Sequence, residues 1–373
     1  MEVRVLFGAS RTPRPGGVSS FQGHEGGTGL RRPPRPCHAC GVPEDFTWRD
    51  GDRTIRFGRT ALDDAPKLLG EGYLLLASAR AAAAAPALVD AAGRVCTIGP
   101  GRVDDLAGDL LDEVRAARPT AIVALGGGRV IDTGKALGAA LGGDVPVAAV
   151  PTTLSAAEMT WVHRQARGAP AGTTGLRPRL VLNDPQLSAS QEEPDLAASA
   201  ANAFAHAVEG AMTAIASPVP TLAAHDAARR LAAGMRDGAR VDRDALALGA
   251  LLAGYAIDAN WYGLHHVMSQ TLVRETGAGH GAVNAALLPV TAAALRRRQP
   301  EAFALIDEAI GEQVEEVAQR LARRAQAIRL RDLGIDEDQL AHCAELAATR
   351  PEVALTPSPA GPREMHQLYL EAW

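Results

Sequence analysis

The feature that most constrains the fold is a short apolar run that ends in three consecutive glycines and continues into a helical pattern. Residues 121–125 are apolar and uncharged, which predicts a buried parallel strand. Gly126, Gly127 and Gly128 follow, and a helix is predicted to begin near Arg129. Glycines can take positive φ angles and let an anion approach the main chain, where the start of the helix offers free N–H groups. The pattern predicts a phosphate-binding turn, and a turn without a ligand is the alternative.

The helix after the glycines carries one of the two lysines in the chain, Lys135; the other is Lys67. All other basic residues are arginines, so a lysine here indicates a need for a compact ammonium group rather than a planar guanidinium. Asp132 lies three residues earlier, on the same helix face. A surface ion pair of little energetic consequence is the alternative interpretation.

A second apolar strand is predicted from Val147 to Pro151, and hydroxyl side chains follow it at Thr152, Thr153 and Ser155. Between residue 46 and about residue 187, strands alternate with helices, which predicts an α/β domain with a doubly wound parallel sheet. Ligands of such sheets bind at the carboxyl ends of the strands. The two segments that follow these strands are therefore predicted to lie side by side.

After residue 188 every clear period is helical, so residues 188–373 are predicted to form an all-α domain that carries the catalytic or metal site. Residues 1–45 are rich in Gly, Pro, Arg and Ser and are interpreted as a disordered extension. They contain Cys37 and Cys40, a C-x-x-C pair without the second pair that a zinc site needs. A length of 373 residues fits more than one domain.

The helical half contributes a set of residues with metal-binding and proton-transfer chemistry. Asn202 and His206 are four residues apart and project from one helix face. His266 lies in an apolar helix, and His280 follows in a glycine-rich turn that predicts the start of the next helix. Three imidazoles at one cleft could hold a divalent metal that polarises a carbonyl or alkoxide oxygen. Ordinary histidines that make hydrogen bonds in the core are the alternative, which is our expectation for His265.

The segments GGGRVIDTGKA and VPTTLSAAEMT resemble the iron-containing alcohol dehydrogenase superfamily, which has a dehydroquinate synthase-like fold, and within it the maleylacetate reductases. The resemblance extends to the helical half, where N-x-x-x-H and G-L-H-H resemble the superfamily's metal motifs, and covers nearly all of residues 46–373. It implies that residues 46–187 form a dinucleotide-binding domain for a nicotinamide cofactor, NAD or NADP. The residues that the resemblance implies to bind the cofactor are Gly126, Gly127, Gly128, Asp132, Thr152, Thr153 and Thr160. Lys135 and Ser155 are added to this predicted set because of their side-chain chemistry and position. The implied catalytic residues are His206, His266 and His280, and Asn202 with these histidines would hold Fe²⁺ or Zn²⁺.

Several positions depart from the pattern of the superfamily. Asn202 stands where an aspartate is usual, which removes a negative charge and should weaken metal affinity. Gln270 stands where relatives usually carry histidine, so a proton relay through that position is lost. Ala156 and Ala157 replace a Gly-Ser pair, and Arg129 replaces a serine. These departures weaken the assignment of a particular substrate more than that of the reaction class.

The sequence therefore predicts an NAD(P)-dependent oxidoreductase that interconverts a carbonyl and an alcohol. Without a metal, an imidazolium would donate the proton directly. One candidate substrate is an unsaturated keto diacid, as for maleylacetate reductases. A second candidate function is the oxidation of a β-hydroxy acid or peptide hydroxyl during the biosynthesis of a natural product, such as a ribosomal peptide. A third is a cofactor-binding homologue with impaired catalysis.

The coenzyme and the cellular setting rest on weaker signals. The strand that ends near Ala77 is followed by Arg80 rather than by a carboxylate, so a 2′-phosphate could be accepted; a solvated arginine is the alternative. A formal net charge of −5 gives no electrostatic signature of a nucleic-acid partner. No apolar run is long enough to span a membrane, so a cytoplasmic location is expected. The resemblance also implies a homodimer.

Overall fold

The structure, a computed structural model, describes residues 45–373. The predicted extension and its Cys37–Cys40 pair lie outside the described residues, apart from residue 45 itself. The strands are β1 Phe46–Asp50, β2 Arg53–Phe57, β3 Leu74–Ala77, β4 Arg94–Thr97, β5 Ile122–Gly126, β6 Val147–Pro151 and β7 Leu180–Asn183.

The helices fall into two groups along the chain. Those that alternate with the strands are α1 Ala65–Leu69, α2 Ala79–Ala84, α3 Pro86–Asp90, α4 Val103–Ala117 and α5 Gly128–Ala140. Those after the last strand are α6 Glu193–Gly210, α7 Pro218–Gly234, α8 Arg243–Asn260, α9 Leu264–Thr276, α10 His280–Arg298, α11 Pro300–Ile310, α12 Val314–Arg324, α13 Glu337–Ala348 and α14 Pro362–Ala372. Short 3₁₀ segments lie at Ala61–Asp64, Pro185–Ser190, Leu330–Leu333 and Pro351–Leu355.

The seven strands form one sheet in the order β1-β2-β7-β6-β5-β3-β4. Every neighbouring pair is parallel except β1 and β2, which are antiparallel. The predicted parallel α/β sheet is therefore confirmed. The antiparallel strand β1 was not predicted. Strand β2 is almost fully buried, because Ile55 and Phe57 pack in a hydrophobic cluster with the helices that follow the last strand.

Alternate residues of the central strands pack into two different cores, one on each face of the sheet. Leu76, Ala124 and Ala149 pack against α4 and α5, whereas their chain neighbours Leu75 and Val123 pack on the opposite face beside α2 and α3. A parallel sheet that is covered on both faces needs apolar side chains at every position of its strands. This explains why the strands read as continuous apolar runs.

From Glu193 to the end of the chain the structure contains helices and no strands, so the predicted helical half is confirmed. The core of this half also includes residues from the sheet region, among them Ile55, Phe57 and Val181. The sheet ends at Asn183 and α6 begins at Glu193. The domain boundary near residue 187 stays a prediction, because the two halves share a continuous hydrophobic core.

Candidate active site

The glycine turn connects the buried strand β5 to α5. Gly126 ends the strand, Gly127 caps the helix with φ −79°, and Gly128 is the first helical residue. None of the three takes a positive φ, so that part of our prediction was wrong. Glycine is instead suited to close packing: a Cβ on Gly126 would lie 2.7 Å from Val130 Cγ2, and one on Gly127 would lie 3.0 Å from Thr153 Cγ2.

The segment after β6 lies directly beside the glycine turn. The Thr152 backbone N–H donates to the carbonyl of Gly126 at 3.0 Å, and a Cβ on Gly128 would lie 3.1 Å from the Ser155 side chain. Bare main chain, the start of a helix and hydroxyl groups therefore meet at one sheet edge, as predicted. This geometry fits the diphosphate of a dinucleotide, because a pyrophosphate needs N–H donors and close approach to the backbone.

Lys135 is fully buried, so the alternative of a surface ion pair was wrong. Its ammonium group donates to Asp132 Oδ1 at 2.8 Å and to the carbonyl oxygens of Ala157 at 3.0 Å and Val162 at 2.7 Å. The Thr160 hydroxyl lies 3.5 Å away. Lys135 thus ties α5 to the segment that follows β6. A role in cofactor binding would be exerted through the position of that segment.

The same segment contains a buried carboxyl group that our sequence analysis did not single out. Glu158 is 1% exposed, and its Oε2 atom has no hydrogen-bond partner among the described residues. Burial raises its pKa to about 7, although Lys135 and Arg53 act in the opposite direction. Two residues earlier, Ala156 has φ 62°, a left-handed conformation that favours glycine. Ala156 and Ala157 replace the usual Gly-Ser pair, and Ala156 adopts a backbone conformation that glycine would adopt more readily.

Two of the predicted site histidines are in direct contact. The rings of His206 on α6 and His266 on α9 stack with centroids 4.6 Å apart and planes 16° from parallel. Asn202 is buried on the same helix as His206. His280 begins α10, as predicted, and is exposed. Burial lowers the pKa of His266 to about 3, and the neighbouring His280 acts in the same direction, so His266 is a neutral imidazole at neutral pH.

Glu209 is the most informative residue that the sequence analysis missed. Its Oε2 lies 2.6 Å from His266 Nδ1, and its two carboxylate oxygens accept the backbone N–H groups of His265 at 2.7 Å and His266 at 3.1 Å. Glu209 therefore caps the first turn of α9 from another helix and orients the His266 ring. The available signal was a carboxylate three residues after His206, in the otherwise apolar second half of α6.

The tautomer of His266 follows from this contact. A carboxylate accepts hydrogen bonds, so the ring proton belongs on Nδ1 and the lone pair on Nε2. Nε2 has no partner among the described residues, and the same is true of Asn202 Oδ1 and His206 Nδ1. Three polar atoms from two neighbouring helices are therefore left for a ligand, water or substrate. By contrast, His265 bonds Thr291 Oγ1 and Asn284 Oδ1, which confirms its structural role.

We tested whether these residues fit the predicted Fe²⁺ or Zn²⁺. Asn202, His206 and His266 offer only neutral donors, and the two imidazole planes are nearly parallel, so their in-plane lone pairs do not converge on one point. Within residues 45–373, no group of three His, Cys, Asp or Glu side chains could hold a metal ion. The arrangement therefore does not fit a metal held by the three histidines.

The loop after β6 and helix α6 lie against each other, which connects the region of the glycine turn to the helix that carries His206. The Leu154 backbone N–H donates to Ser199 Oγ at 2.9 Å, and Ser199 precedes Asn202 by one turn of α6. The exposed Arg80, on α2, donates to the carbonyl of Ser190 at 3.1 Å. This contact does not test its proposed interaction with a 2′-phosphate, which stays a prediction.

Comparison with known proteins places this site in a family. Residues 52–185 match the model described as iron-containing alcohol dehydrogenase, and residues 196–373 match the C-terminal model of the Fe-containing alcohol dehydrogenase family. The chain is 32% identical to a maleylacetate reductase of Pseudomonas knackmussii over 246 residues, which cover 62% of this chain and 68% of the relative. It is 28% identical to 1,3-propanediol dehydrogenase of Citrobacter freundii over 317 residues, covering 74% and 82%.

Solved structures agree with this similarity. The maleylacetate reductase of a Rhizobium species superposes with a TM-score of 0.73 at 25% identity, covering 88% of this chain and 98% of that one. A 1,3-propanediol oxidoreductase superposes with a TM-score of 0.68 at 26% identity, covering 83% and 94%. Within residues 45–373, none of the helices is long and apolar enough to cross a membrane. The chain belongs to the iron-containing alcohol dehydrogenase family, and it is an oxidoreductase that resembles maleylacetate reductases.

Proposed function

We propose that this protein is an NAD(P)-dependent oxidoreductase that interconverts a carbonyl and an alcohol by hydride transfer, with His266 as the proton-transferring residue. The observation that carries this proposal is the orientation of His266. Glu209 holds Nδ1, and the lone pair of Nε2 is left without a protein partner. The proposal assigns the cofactor to the glycine turn and the hydroxyl groups after β6, and the hydrogen bond from Leu154 to Ser199 links this region to the helix that carries His206.

A bound nicotinamide would donate or accept the hydride at the reacting carbon. In the oxidising direction, His266 Nε2 accepts the proton of the alcohol O–H. The carboxylate of Glu209 then stabilises the imidazolium, as the carboxylate of a catalytic triad does. In the reducing direction Nε2 first takes up a proton from solvent and then donates it to the carbonyl oxygen. Because the pKa of His266 is lowered to about 3, the resting residue is neutral and is a proton acceptor, whereas the sequence predicted an imidazolium that donates directly.

The substrate is proposed from two signals that point in different directions. Similarity to maleylacetate reductases favours an unsaturated keto diacid. Gln270 and the neutral side chain of Asn202, which is a weaker metal ligand than aspartate, favour a different substrate. Examples are a β-hydroxy acid and a hydroxyl group carried on a natural product. Turnover of a panel of keto acids and alcohols with NADH and NADPH separates these two. Tight coenzyme binding without any turnover would identify the third candidate, the impaired homologue.

The proton-transfer proposal is tested with alanine variants of the stacked pair. His206→Ala and His266→Ala should each reduce kcat by about 100-fold or more, because a positioned general base contributes on that scale. NAD(P)H affinity, measured by fluorescence titration, should be preserved. His342→Ala, at an exposed position of α13, is the matched control. Full activity of both variants would contradict the proposed role.

A further inference from the structure

A row of aromatic rings leads from the surface to the stacked histidines, and no part of the proposed reaction uses it. Trp161 follows Thr160 in the segment after β6, whereas Trp261 and Tyr262 lie between α8 and α9. The ring centroids of Trp161 and Trp261 are 5.5 Å apart, and those of Trp261 and Tyr262 are 5.2 Å apart. Tyr262 lies 5.7 Å from the ring of His266. We call Trp161, Trp261 and Tyr262 the aromatic wall.

The aromatic wall is accessible at its outer end. Trp161 is 37% exposed, and Trp261 and Tyr262 are partly exposed. The row then ends at His266, which is 2% exposed. The wall joins the two halves of the molecule, because Trp161 belongs to the segment that follows the cofactor turn and Trp261 to the helical half. A substrate that reaches His266 Nε2 with its reacting oxygen would therefore place its remaining atoms along these rings.

The backbone of Trp261 shows that an indole is kept at a position that favours glycine. Its φ is 60° and its ψ is −168°, a region of the backbone map that is essentially restricted to glycine. A bulky residue in this region costs free energy, which the surrounding structure must supply. No hydrogen bond of the Trp261 indole is part of the network around Glu209. Its ring contacts are with Trp161 and Tyr262. We infer that the strained backbone conformation serves to place the indole ring between them.

The segment that carries Trp161 is also held firmly in place. The Trp161 backbone N–H donates to Asp258 Oδ1 at 2.7 Å, and the other oxygen of Asp258 accepts from Arg177 Nε at 2.5 Å. Gly175 lies flat against the indole, since a Cβ there would be 2.1 Å from Trp161 Cε3. Both tryptophans are therefore positioned before any substrate arrives, which reduces the entropy lost on binding.

We propose that the aromatic wall is a substrate subsite that binds a flat aryl or conjugated group attached near the reacting carbon. This inference rests on the proposed function, because it takes His266 as the reacting end of the cleft. Indole faces bind planar π systems by offset or edge contacts, in addition to the apolar area that they bury. Substrates with a ring beside the keto or hydroxyl group are therefore favoured over the short-chain compounds that have nothing to stack.

The test compares two keto acids that differ only in an aryl ring, pyruvate and phenylpyruvate. Binding to the full chain is measured by titration calorimetry with NAD⁺ or NADP⁺ present, because the oxidised coenzyme cannot transfer a hydride to a keto acid. Turnover with NADH or NADPH is followed separately. The wild type should bind phenylpyruvate about tenfold more tightly than pyruvate, as two aromatic contacts warrant. Trp261→Gly removes the ring and suits the backbone of that position, so it should fold. It should reduce the preference to about threefold or less.

Two further variants make the result specific to the wall. Trp161→Ala should reduce the preference in the same way, and it keeps the inference testable if Trp261→Gly is unstable. Trp261→Phe keeps a ring and should keep most of the preference. Trp48→Phe changes a tryptophan whose ring contact is with Tyr255, outside the wall, and should leave the preference unchanged.

The outcomes separate this inference from the proposed function. Preferential binding of phenylpyruvate without turnover would support the subsite and contradict the proposed reaction. Turnover of short-chain substrates with equal or weaker binding of phenylpyruvate would overturn the subsite and leave the reaction standing. A preference that survives both Trp261→Gly and Trp161→Ala would also overturn the subsite.

Discussion

Glu209 accepts hydrogen bonds from two backbone N–H groups and from one imidazole at the same time. Glu209→Gln keeps the size of the side chain but has only one oxygen to accept with. We expect kcat to fall about tenfold or more, as for other residues that orient a functional histidine. The free energy of unfolding should fall by about 1–3 kcal/mol, because a buried donor loses its acceptor.

Steady-state kinetics and urea unfolding of Glu209→Gln measure both effects, and NAD(P)H affinity should be unchanged. Glu345→Gln, at an exposed position of α13, is the control. If kcat of Glu209→Gln equals that of the wild type, Glu209 has no part in orienting His266.

Lys135 shows why a lysine persists in a chain whose other basic residues, except Lys67, are arginines. Its ammonium has acceptors in several directions within a fully buried space. Lys135→Met leaves two carbonyl groups and Asp132 without their donor, so the free energy of unfolding should fall by about 3 kcal/mol. Lys135→Arg should also be destabilising, since a planar guanidinium does not fit a space shaped for a point charge.

Chemical unfolding of the two Lys135 variants is compared with that of Lys67→Met, which removes the other, exposed lysine. A Lys135→Arg variant as stable as the wild type would show that charge alone, and not shape, is needed at this position.

Under the proposed function, coenzyme binding depends on the glycine turn between β5 and α5. Gly127→Ala is compatible with the backbone at φ −79°, but the added methyl would lie 3.0 Å from Thr153 Cγ2. It would also stand between the main chain and a phosphate group. We expect NAD(P)H affinity to fall at least tenfold, about 1.4 kcal/mol. Gly361→Ala, a helix N-cap with open space around it, should leave affinity unchanged. Equal affinities of both variants would exclude the turn as the diphosphate site.

The segment after β6 should respond to pH through Glu158. Because burial raises its pKa from 4.5 to about 7, the folded protein retains a proton that the unfolded chain releases between these values. The stabilisation is complete below the unfolded pKa and is lost as the pH rises through 7. The side chain in Glu158→Gln does not titrate. The free energy of unfolding of this variant minus that of the wild type should therefore increase by roughly 3 kcal/mol between about pH 5 and about pH 8.

Thermal unfolding of the wild type and Glu158→Gln across this pH range measures the difference. A stability difference that does not change with pH would mean that Glu158 titrates near its ordinary value in the folded protein.

At the scale of the whole molecule, the shared core predicts cooperative unfolding. Ile55 and Val181 of the sheet pack in the same hydrophobic cluster as the helices after residue 193. We therefore expect a single transition in which far-UV circular dichroism and tryptophan fluorescence change together. Two separated transitions would show that the predicted sheet and helical domains unfold independently.

The sequence patterns predicted the regular elements well where the signal was local. Strands β5 and β6 were predicted to within about a residue, because buried parallel strands appear in a sequence as short, continuous apolar runs. Strand β1 was missed because it is short and half-exposed, with few apolar residues. The predicted positive φ of the glycines was wrong because glycine also serves where packing leaves no space for a methyl group.

The sequence predicted residues of the candidate site but not their arrangement in space. The spacing of Asn202 and His206 placed them on one face, but the stacking of His206 on His266 depends on how α6 and α9 pack. Glu209 and Trp261 act through contacts between residues more than 50 positions apart or through an unusual backbone angle, and neither leaves a local signature. Such features depend on tertiary packing and need coordinates.

The double role of Glu209 has a consequence for descendants of this protein. The same carboxylate caps the first turn of α9 and fixes the proton of His266 on Nδ1, so a descendant protein that had lost catalysis would still need it for folding. A glutamate at this position therefore does not indicate whether a descendant protein is catalytically active. Changes at Asn202 or His206, which leave that helix start untouched, are the ones that would record a loss of chemistry.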